Sequence, residues 1–136
     1  GNTKVKAILG VGDLETLRNV AKASLVCMMA GADFIKTSTG KENINANLNN
    51  SLVMLRMIRD FYNKTGKKIG FKPAGGISTS KSVLEFLILV GEELGFEWIN
   101  PKLLRIGASS LLIDIERQLY HYTSGRYANK EKLAIG

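Results

Sequence analysis

Residues 31–41 read Gly31-Ala-Asp-Phe-Ile-Lys-Thr-Ser-Thr-Gly-Lys41. The segment 33–37 is typical of a short buried strand, and the residues after it form the loop that leaves the strand. A lysine in such a strand is unusual, because lysine is rarely buried without a partner and desolvation lowers the pKa of its ammonium group. Lys36 is therefore a candidate nucleophile toward carbonyl carbons. The alternative is a lysine that extends its charge from a strand end into water.

Size and composition indicate one globular domain or part of a larger one, since the chain has 136 residues and 45% of them are hydrophobic. No apolar run approaches the length of a membrane span, and residues 1–7 do not have the pattern of a signal peptide. The single cysteine, Cys27, has apolar neighbours and is expected in the core of a helix. One cysteine allows no internal disulfide and suits a reducing compartment, so we expect a cytoplasmic protein.

The formal net charge of +7 is compatible with nucleic acid, an acidic membrane surface or a phosphorylated substrate as partner. The basic residues form no run of five or six, and aromatic residues do not alternate with them as in a base-stacking surface. A small anionic ligand needs only a few cations. The sequence therefore favours a small phosphorylated molecule, with no nucleic-acid or membrane partner.

Strand and helix patterns alternate four times along the chain. Strands are predicted at residues 4–9, 33–37, 69–72 and 103–106, and a helix follows each. Asp13 is a candidate cap for the first helix, and the third is expected to bury Val83, Leu84, Leu87 and Ile88. Residues 1–122 form the domain of this prediction, and residues 123–136 form a C-terminal tail.

Alternating units of this kind build a parallel sheet with helices outside. The sheet is either open and doubly wound or half of a (β/α)8 barrel, which normally needs about 250 residues. An open sheet covered on both faces would be apolar on both, whereas each predicted strand has a cation or glycine on one face. These residues are Lys6, Lys36, Gly70, Lys72, Arg105 and Gly107. We therefore predict that the chain supplies about the last four βα units of a barrel.

In such barrels the active residues lie at the C-terminal ends of the strands, and phosphate is often bound by the loops after strands seven and eight. Glycines there let backbone N–H groups approach an anion, and a helix N-terminus favours negative charge. The predicted phosphate-binding residues are Gly40, Lys41, Gly75, Gly76, Gly107, Ser109 and Ser110.

Two lysines end adjacent strands of this prediction, Lys36 and Lys72. Parallel neighbours lie about 4.8 Å apart, so the two ammonium groups are close enough for one pKa to fall from about 10.4 toward roughly 7. Such crowding has no structural benefit and points to catalysis. Other catalytic patterns are missing: His121, the only histidine, is expected at the surface of the last helix, and we find no metal-ligand spacing and no nucleotide-binding glycine motif.

Three motifs resemble the deoxyribose-phosphate aldolase family, in its animal type: Phe34-Ile-Lys-Thr-Ser-Thr-Gly-Lys41, Gly70-Phe-Lys-Pro-Ala-Gly-Gly76 and Arg105-Ile-Gly-Ala-Ser-Ser110. The resemblance implies a class I aldolase without metal or cofactor. It would cleave 2-deoxy-D-ribose 5-phosphate reversibly into acetaldehyde and D-glyceraldehyde 3-phosphate. Lys36 matches the Schiff-base lysine, a choice that spacing alone leaves open. Lys72 matches the neighbour that lowers the pKa of this lysine and helps to transfer protons.

The family's first half has no counterpart in this sequence, and the carboxylate that relays protons with the lysines is expected there. This missing N-terminal half is thus one expected partner, and self-association into a homo-oligomer is left open. The alternative is a non-catalytic half-barrel that binds phosphate or associates with itself, because the open sheet edges of a lone monomer favour pairing with another chain. Ser78 stands where relatives often carry an arginine, which removes one accessory phosphate contact.

Overall fold

The computed structural model describes residues 3–129 and residue 133. The first three strand–helix pairs alternate as the sequence predicts, and a 3-10 turn precedes the last helix. The elements are β1 (Lys6–Ile8), α1 (Leu17–Met29), β2 (Phe34–Lys36), α2 (Leu48–Thr65), β3 (Gly70–Lys72), α3 (Ser80–Leu94), the 3-10 turn (Phe96–Trp98) and α4 (Leu111–Ser124). Among the described residues, no helix is both long and apolar enough to cross a membrane.

The three strands form a parallel sheet in the order β1-β2-β3. Side chains alternate between the two faces of a strand, so residues paired across the sheet share a face. We call the face that is not covered by the helices the inner face. One row on it consists of Lys6, Phe34 and Gly70, and the next row consists of Ile8, Lys36 and Lys72. The two lysines singled out from the sequence therefore occupy neighbouring positions on one face.

The predicted fourth strand, residues 103–106, is not a strand. The segment runs parallel to β3 but pairs with it only at two isolated positions, Leu104 with Phe71 and Gly107 with Ala74. Pro73 lies between these pairings on the β3 side and has no N–H group to donate. The Gly107 N–H donates to the Pro73 carbonyl at 2.8 Å, but Pro73 cannot donate the hydrogen bond that the parallel pattern requires to the Arg105 carbonyl, and the ladder is interrupted.

The outer face of the sheet is covered by the helices. Ile35 and Phe71 on that face are fully buried, in a core to which α1, α2 and α3 all contribute. The prediction of which side of α3 is buried is wrong in part, because Phe86 and Val90 are the buried residues of this helix. Leu84 and Ile88 are 57% and 64% exposed. This helix is apolar on more than one side, so its spacing does not select the side that packs.

The helix starts place the loops that follow the strands. Asn47 and Asn50 form a reciprocal capping box at the start of α2, with hydrogen bonds of 2.9 and 3.2 Å. Thr79 and Ser82 form the same arrangement at α3. Helix α1 begins later than predicted, since its cap is Thr16 rather than Asp13. These caps fix the points at which the loops after β2 and β3 end.

The C-terminal segment departs from the predicted boundary. Helix α4 continues to Ser124, so the predicted tail starts within its last turn. His121, expected at the surface, is partly buried and stacks on Tyr127 with ring centroids 4.1 Å apart. Residues 130–132 and 134–136 of the predicted tail lie outside the described residues.

Gly70 is required by the ring of Phe34, its partner on the inner face. A Cβ at Gly70 would lie 2.3 Å from Phe34 Cε1, and this ring is only 4% exposed. We expect Gly70→Ala to lower the free energy of unfolding of the complete protein by about 1–3 kcal/mol through overpacking. Denaturant unfolding measures this.

Gly91→Ala in α3 is the matched control, because its Cβ would meet only ordinary contacts of 3.5 Å or more. Alanine is preferred to glycine within a helix, so this variant should gain roughly 0.5–1 kcal/mol. Equal stability of Gly70→Ala and the parent protein would contradict the close packing.

Candidate active site

A cavity of about 340 Å³ lies at the C-terminal ends of the strands. Its walls are the loops that follow β2 and β3 and the segment that leads into α4, with Lys36 among the lining residues. All seven residues predicted to bind phosphate line it: Gly40, Lys41, Gly75, Gly76, Gly107, Ser109 and Ser110. Segments that are distant in sequence thus converge around the candidate nucleophile.

Lys72 is the one predicted site residue that does not line this cavity. It pairs with Lys36 in the sheet register and is partly buried on the same face. Its Cε atom lies beside Gly107, where a Cβ would come within 3.1 Å of it. Lys72 therefore lies next to Gly107, which forms part of the cavity wall.

The pKa of the Lys72 ammonium group is lowered from its usual value near 10.5. Burial is the largest cause, followed by the positive charges of Lys6, Lys36 and Arg105. Each of these neighbours disfavours a further positive charge. Lys72 consequently releases its proton at a lower pH than an exposed lysine does.

The inner face concentrates positive charge around an aromatic ring. Lys6 Nζ lies 5.4 Å from the centroid of the Phe34 ring, and Arg105 Cζ lies 5.0 Å from it. These contacts are favourable cation–π interactions. No ion pair between described residues neutralises Lys6, Lys36, Lys72 or Arg105. The face is suited to an anionic group.

The opposite side of the cavity offers backbone donors. Gly75 and Gly76 both have positive φ angles, 85° and 76°, and the Gly75 N–H donates to the Gly107 carbonyl at 3.3 Å. The N–H groups that follow Gly75 in this turn are therefore the candidate donors at the cavity wall. Ser110 is the N-cap residue of α4 and makes no side-chain capping hydrogen bond, so the first N–H groups of this helix have no side-chain cap there. A helix N-terminus attracts negative charge, and this wall suits a phosphate.

Helix α3 cannot serve in the same way. The Asp114 carboxylate accepts hydrogen bonds of 2.7 Å from both the backbone N–H and the hydroxyl of Ser80, at the start of that helix. These hydrogen bonds lower the pKa of Asp114. The N-terminus of α3 therefore already holds an acid from α4.

Sequence reasoning missed the residues that hold the loop after β2. Thr37 and Ser38, both fully buried, bind the backbone of Ala74 through their hydroxyl groups. The Glu42 carboxylate accepts from the backbone N–H and the hydroxyl of Thr39 at 2.8 and 3.1 Å. The sequence offered a weak signal, namely two hydroxyl residues after Lys36 and a proline after Lys72.

No group of three or more metal-ligating side chains occurs within residues 3–129.

Residues 7–93 match the sequence model of a family described as "DeoC/LacD family aldolase". The chain belongs to this family. It is 65% identical over 128 residues to deoxyribose-phosphate aldolase of Mus musculus and 63% identical over 128 residues to that of Homo sapiens. Each alignment covers 94% of this chain and 40% of the relative, so the chain spans less than half the length of these family members.

A solved member of the family's fold shows the same chain path. The apo form of a candidate deoxyribose-phosphate aldolase from Toxoplasma gondii ME49 superposes with a TM-score of 0.79 at 24% identity. The match covers 90% of this chain and 47% of the other. The parallel α/β arrangement described here therefore has the same fold as a little under half of that structure.

Proposed function

We propose that this chain is the part of a class I deoxyribose-phosphate aldolase that carries the Schiff-base lysine, Lys36. The supporting observation is the position of Lys36 in a cavity whose other walls present backbone N–H groups and Lys41. Membership of an aldolase family makes a non-catalytic phosphate-binding fragment the less favoured alternative. The substrate is 2-deoxy-D-ribose 5-phosphate, and the products are acetaldehyde and D-glyceraldehyde 3-phosphate.

In the proposed reaction the neutral amine of Lys36 attacks C1 of the open-chain sugar, and loss of water gives a protonated imine. A base then removes the proton of the C3 hydroxyl group, and the C2–C3 bond breaks. Its electron pair moves toward the imine nitrogen, which leaves an enamine on Lys36 and frees D-glyceraldehyde 3-phosphate. Protonation of C2 and hydrolysis of the imine release acetaldehyde.

Lys72 assists these proton transfers in the proposal. Its lowered pKa brings its proton exchange closer to neutral pH, where a general acid or base is most effective. Its Cε atom lies beside Gly107, which lines the cavity, so the lysine is adjacent to the proposed reaction space. The partner carboxylate would come from another part of the protein.

The architecture proposed for the complete protein is a (β/α)8 barrel of which this chain forms the last four units. The cations of the inner face then enclose the substrate together with acidic groups from the first four units. Phosphate binds to the loops after β3 and the segment 103–107, with Gly40 and Lys41 as additional donors. The expected partners are the phosphorylated sugar and its aldehyde products, and a homo-oligomer is compatible with this arrangement.

Borohydride trapping tests the assignment. The complete protein is incubated with 2-deoxyribose 5-phosphate and reduced, and the modified lysine is located by peptide mass spectrometry. We expect one stable adduct, on Lys36, because only an imine is reduced to a secondary amine. A sample without substrate is the control. An adduct on Lys72, or no adduct at all, would contradict the proposed role of Lys36.

A further inference from the structure

We propose that Thr37 sets the distance between the amine of Lys36 and the backbone at Gly75 and Gly76 that binds the substrate phosphate. Thr37 is then a positioning residue, because it acts through its neighbours and does not touch the substrate. The inference rests on the proposed function of Lys36.

The hydroxyl group of Thr37 joins two walls of the cavity. The side chain is fully buried, and its Oγ1 accepts a hydrogen bond of 3.0 Å from the Ala74 N–H. The same oxygen donates to the Ala74 carbonyl at 3.2 Å. Both polar backbone groups of Ala74 are thus held by one side chain.

This side chain takes the place of a missing backbone bond. The Thr37 N–H donates to the Lys72 carbonyl at 3.2 Å, as expected in a parallel ladder. The Thr37 carbonyl, however, accepts from Val11 on the other side, at 3.0 Å, and is not paired with Ala74. The hydroxyl therefore lies between the two chains where they separate, directly beyond Lys36 and Lys72.

Ser38 supports the same link. Its Oγ lies 2.8 Å from the Ala74 carbonyl oxygen and 2.9 Å from Asn45 Oδ1. The Ala46 N–H also donates to the Ala74 carbonyl, at 3.1 Å. Ala74 is only 3% exposed, so water cannot readily replace these partners. The loop after β2 is thereby fixed to Ala74, at the start of the loop after β3 that contains Gly75 and Gly76 and is called the glycine loop below.

The position of the link in the sequence gives it its function. Thr37 directly follows the nucleophile, and Ala74 directly precedes Gly75. Binding energy from the phosphate aids catalysis only if it places the carbonyl carbon within reach of the amine. Without the hydroxyl the buried Ala74 N–H loses its acceptor, and the glycine loop must move to find another.

The test compares substrates with and without phosphate in the complete protein. The quantity measured is the phosphate advantage, defined as kcat/KM for 2-deoxyribose 5-phosphate divided by kcat/KM for 2-deoxyribose. We expect Thr37→Val to lower this ratio by about tenfold or more, since small misplacements of a bound substrate have effects of this size. Reduction-trapped imine formation with acetaldehyde, which has no phosphate, should be retained, and Thr37→Ser should restore the ratio.

Thr65→Val is the matched control, because it removes a hydroxyl that bonds the Phe61 carbonyl at 2.7 Å, at the end of α2. The ratio should not change in this variant. An unchanged ratio in Thr37→Val would overturn the inference. This includes the case in which kcat/KM falls equally for both substrates, because the role of Thr37 is then purely structural.

If Thr37→Val does not fold, Ser38→Ala decides the question. It weakens the same link, so the phosphate advantage should fall, and an unchanged ratio would overturn the inference. Failure of the proposed function is recognised separately. In that case the unmodified protein itself traps no acetaldehyde on Lys36.

Discussion

Lys36→Arg is expected to reduce aldol cleavage on the order of 10⁴-fold or more, and to abolish borohydride trapping at this position. Arginine keeps the positive charge and a similar length, but its guanidinium group stays protonated and cannot attack a carbonyl carbon. Phosphate binding should persist, because the donors at Gly75, Gly76 and α4 are unchanged. Steady-state rates of D-glyceraldehyde 3-phosphate formation, with binding of the intact sugar phosphate measured by calorimetry, check both statements.

Lys22→Arg is the matched control for this substitution. Lys22 is exposed on α1, so the same chemical change there should leave activity and trapping unaltered. Activity of Lys36→Arg within a few-fold of the parent would contradict imine chemistry at Lys36, since no other step of the proposal requires a neutral amine there.

Lys72→Met is expected to slow turnover by about 10²–10⁴-fold, the usual contribution of a group that transfers protons. Methionine fills a similar volume and removes both the charge and the exchangeable proton. Lys72→Arg separates the two effects, because it keeps the charge and cannot act as a base at neutral pH. An equally inactive Lys72→Arg supports proton transfer, whereas a nearly active one would show that only the charge matters.

The pH dependence of turnover has a defined sign. If neutral Lys72 accepts a proton, kcat falls as the pH decreases through its lowered pKa. Lys6→Gln removes one of the cations that lower this pKa, so the decline should begin at a higher pH. Lys6→Arg keeps the charge and should leave the profile in place. Lys36 and Arg105 are the other charged groups that act on Lys72 among the described residues.

Much of the fold follows from spacing. The βα units recur at regular intervals, and this predicted a parallel sheet with the lysines in register. Glycines after the strands predicted the converging loops, because parallel strands end at one edge of a sheet. The choice of Lys36 over Lys72 as nucleophile came from family resemblance alone, since spacing treats the two positions alike.

Other features depend on contacts between distant residues and were not predictable in this way. Pro73 interrupts the pairing of a segment about thirty residues later in the chain, so an apolar pattern at residues 103–106 could not reveal the lost strand. The exposed side of α3 is apolar as well, and only its neighbours select the buried one. The link from Thr37 to Ala74 likewise joins residues 37 positions apart.

The phenyl ring of Phe34 has a consequence for the order of events. It packs against Gly70 on the inner face one row below Lys36, and the cavity lies beyond Lys36, among the loops that follow the strands, so a substrate bound to Lys36 extends toward these loops. Under the proposed chemistry, the loops hold the phosphate of the three-carbon aldehyde, while the two-carbon fragment stays covalently bound to Lys36 as the enamine. The phosphorylated product is therefore free to leave before the imine is hydrolysed, and we expect it to be released first.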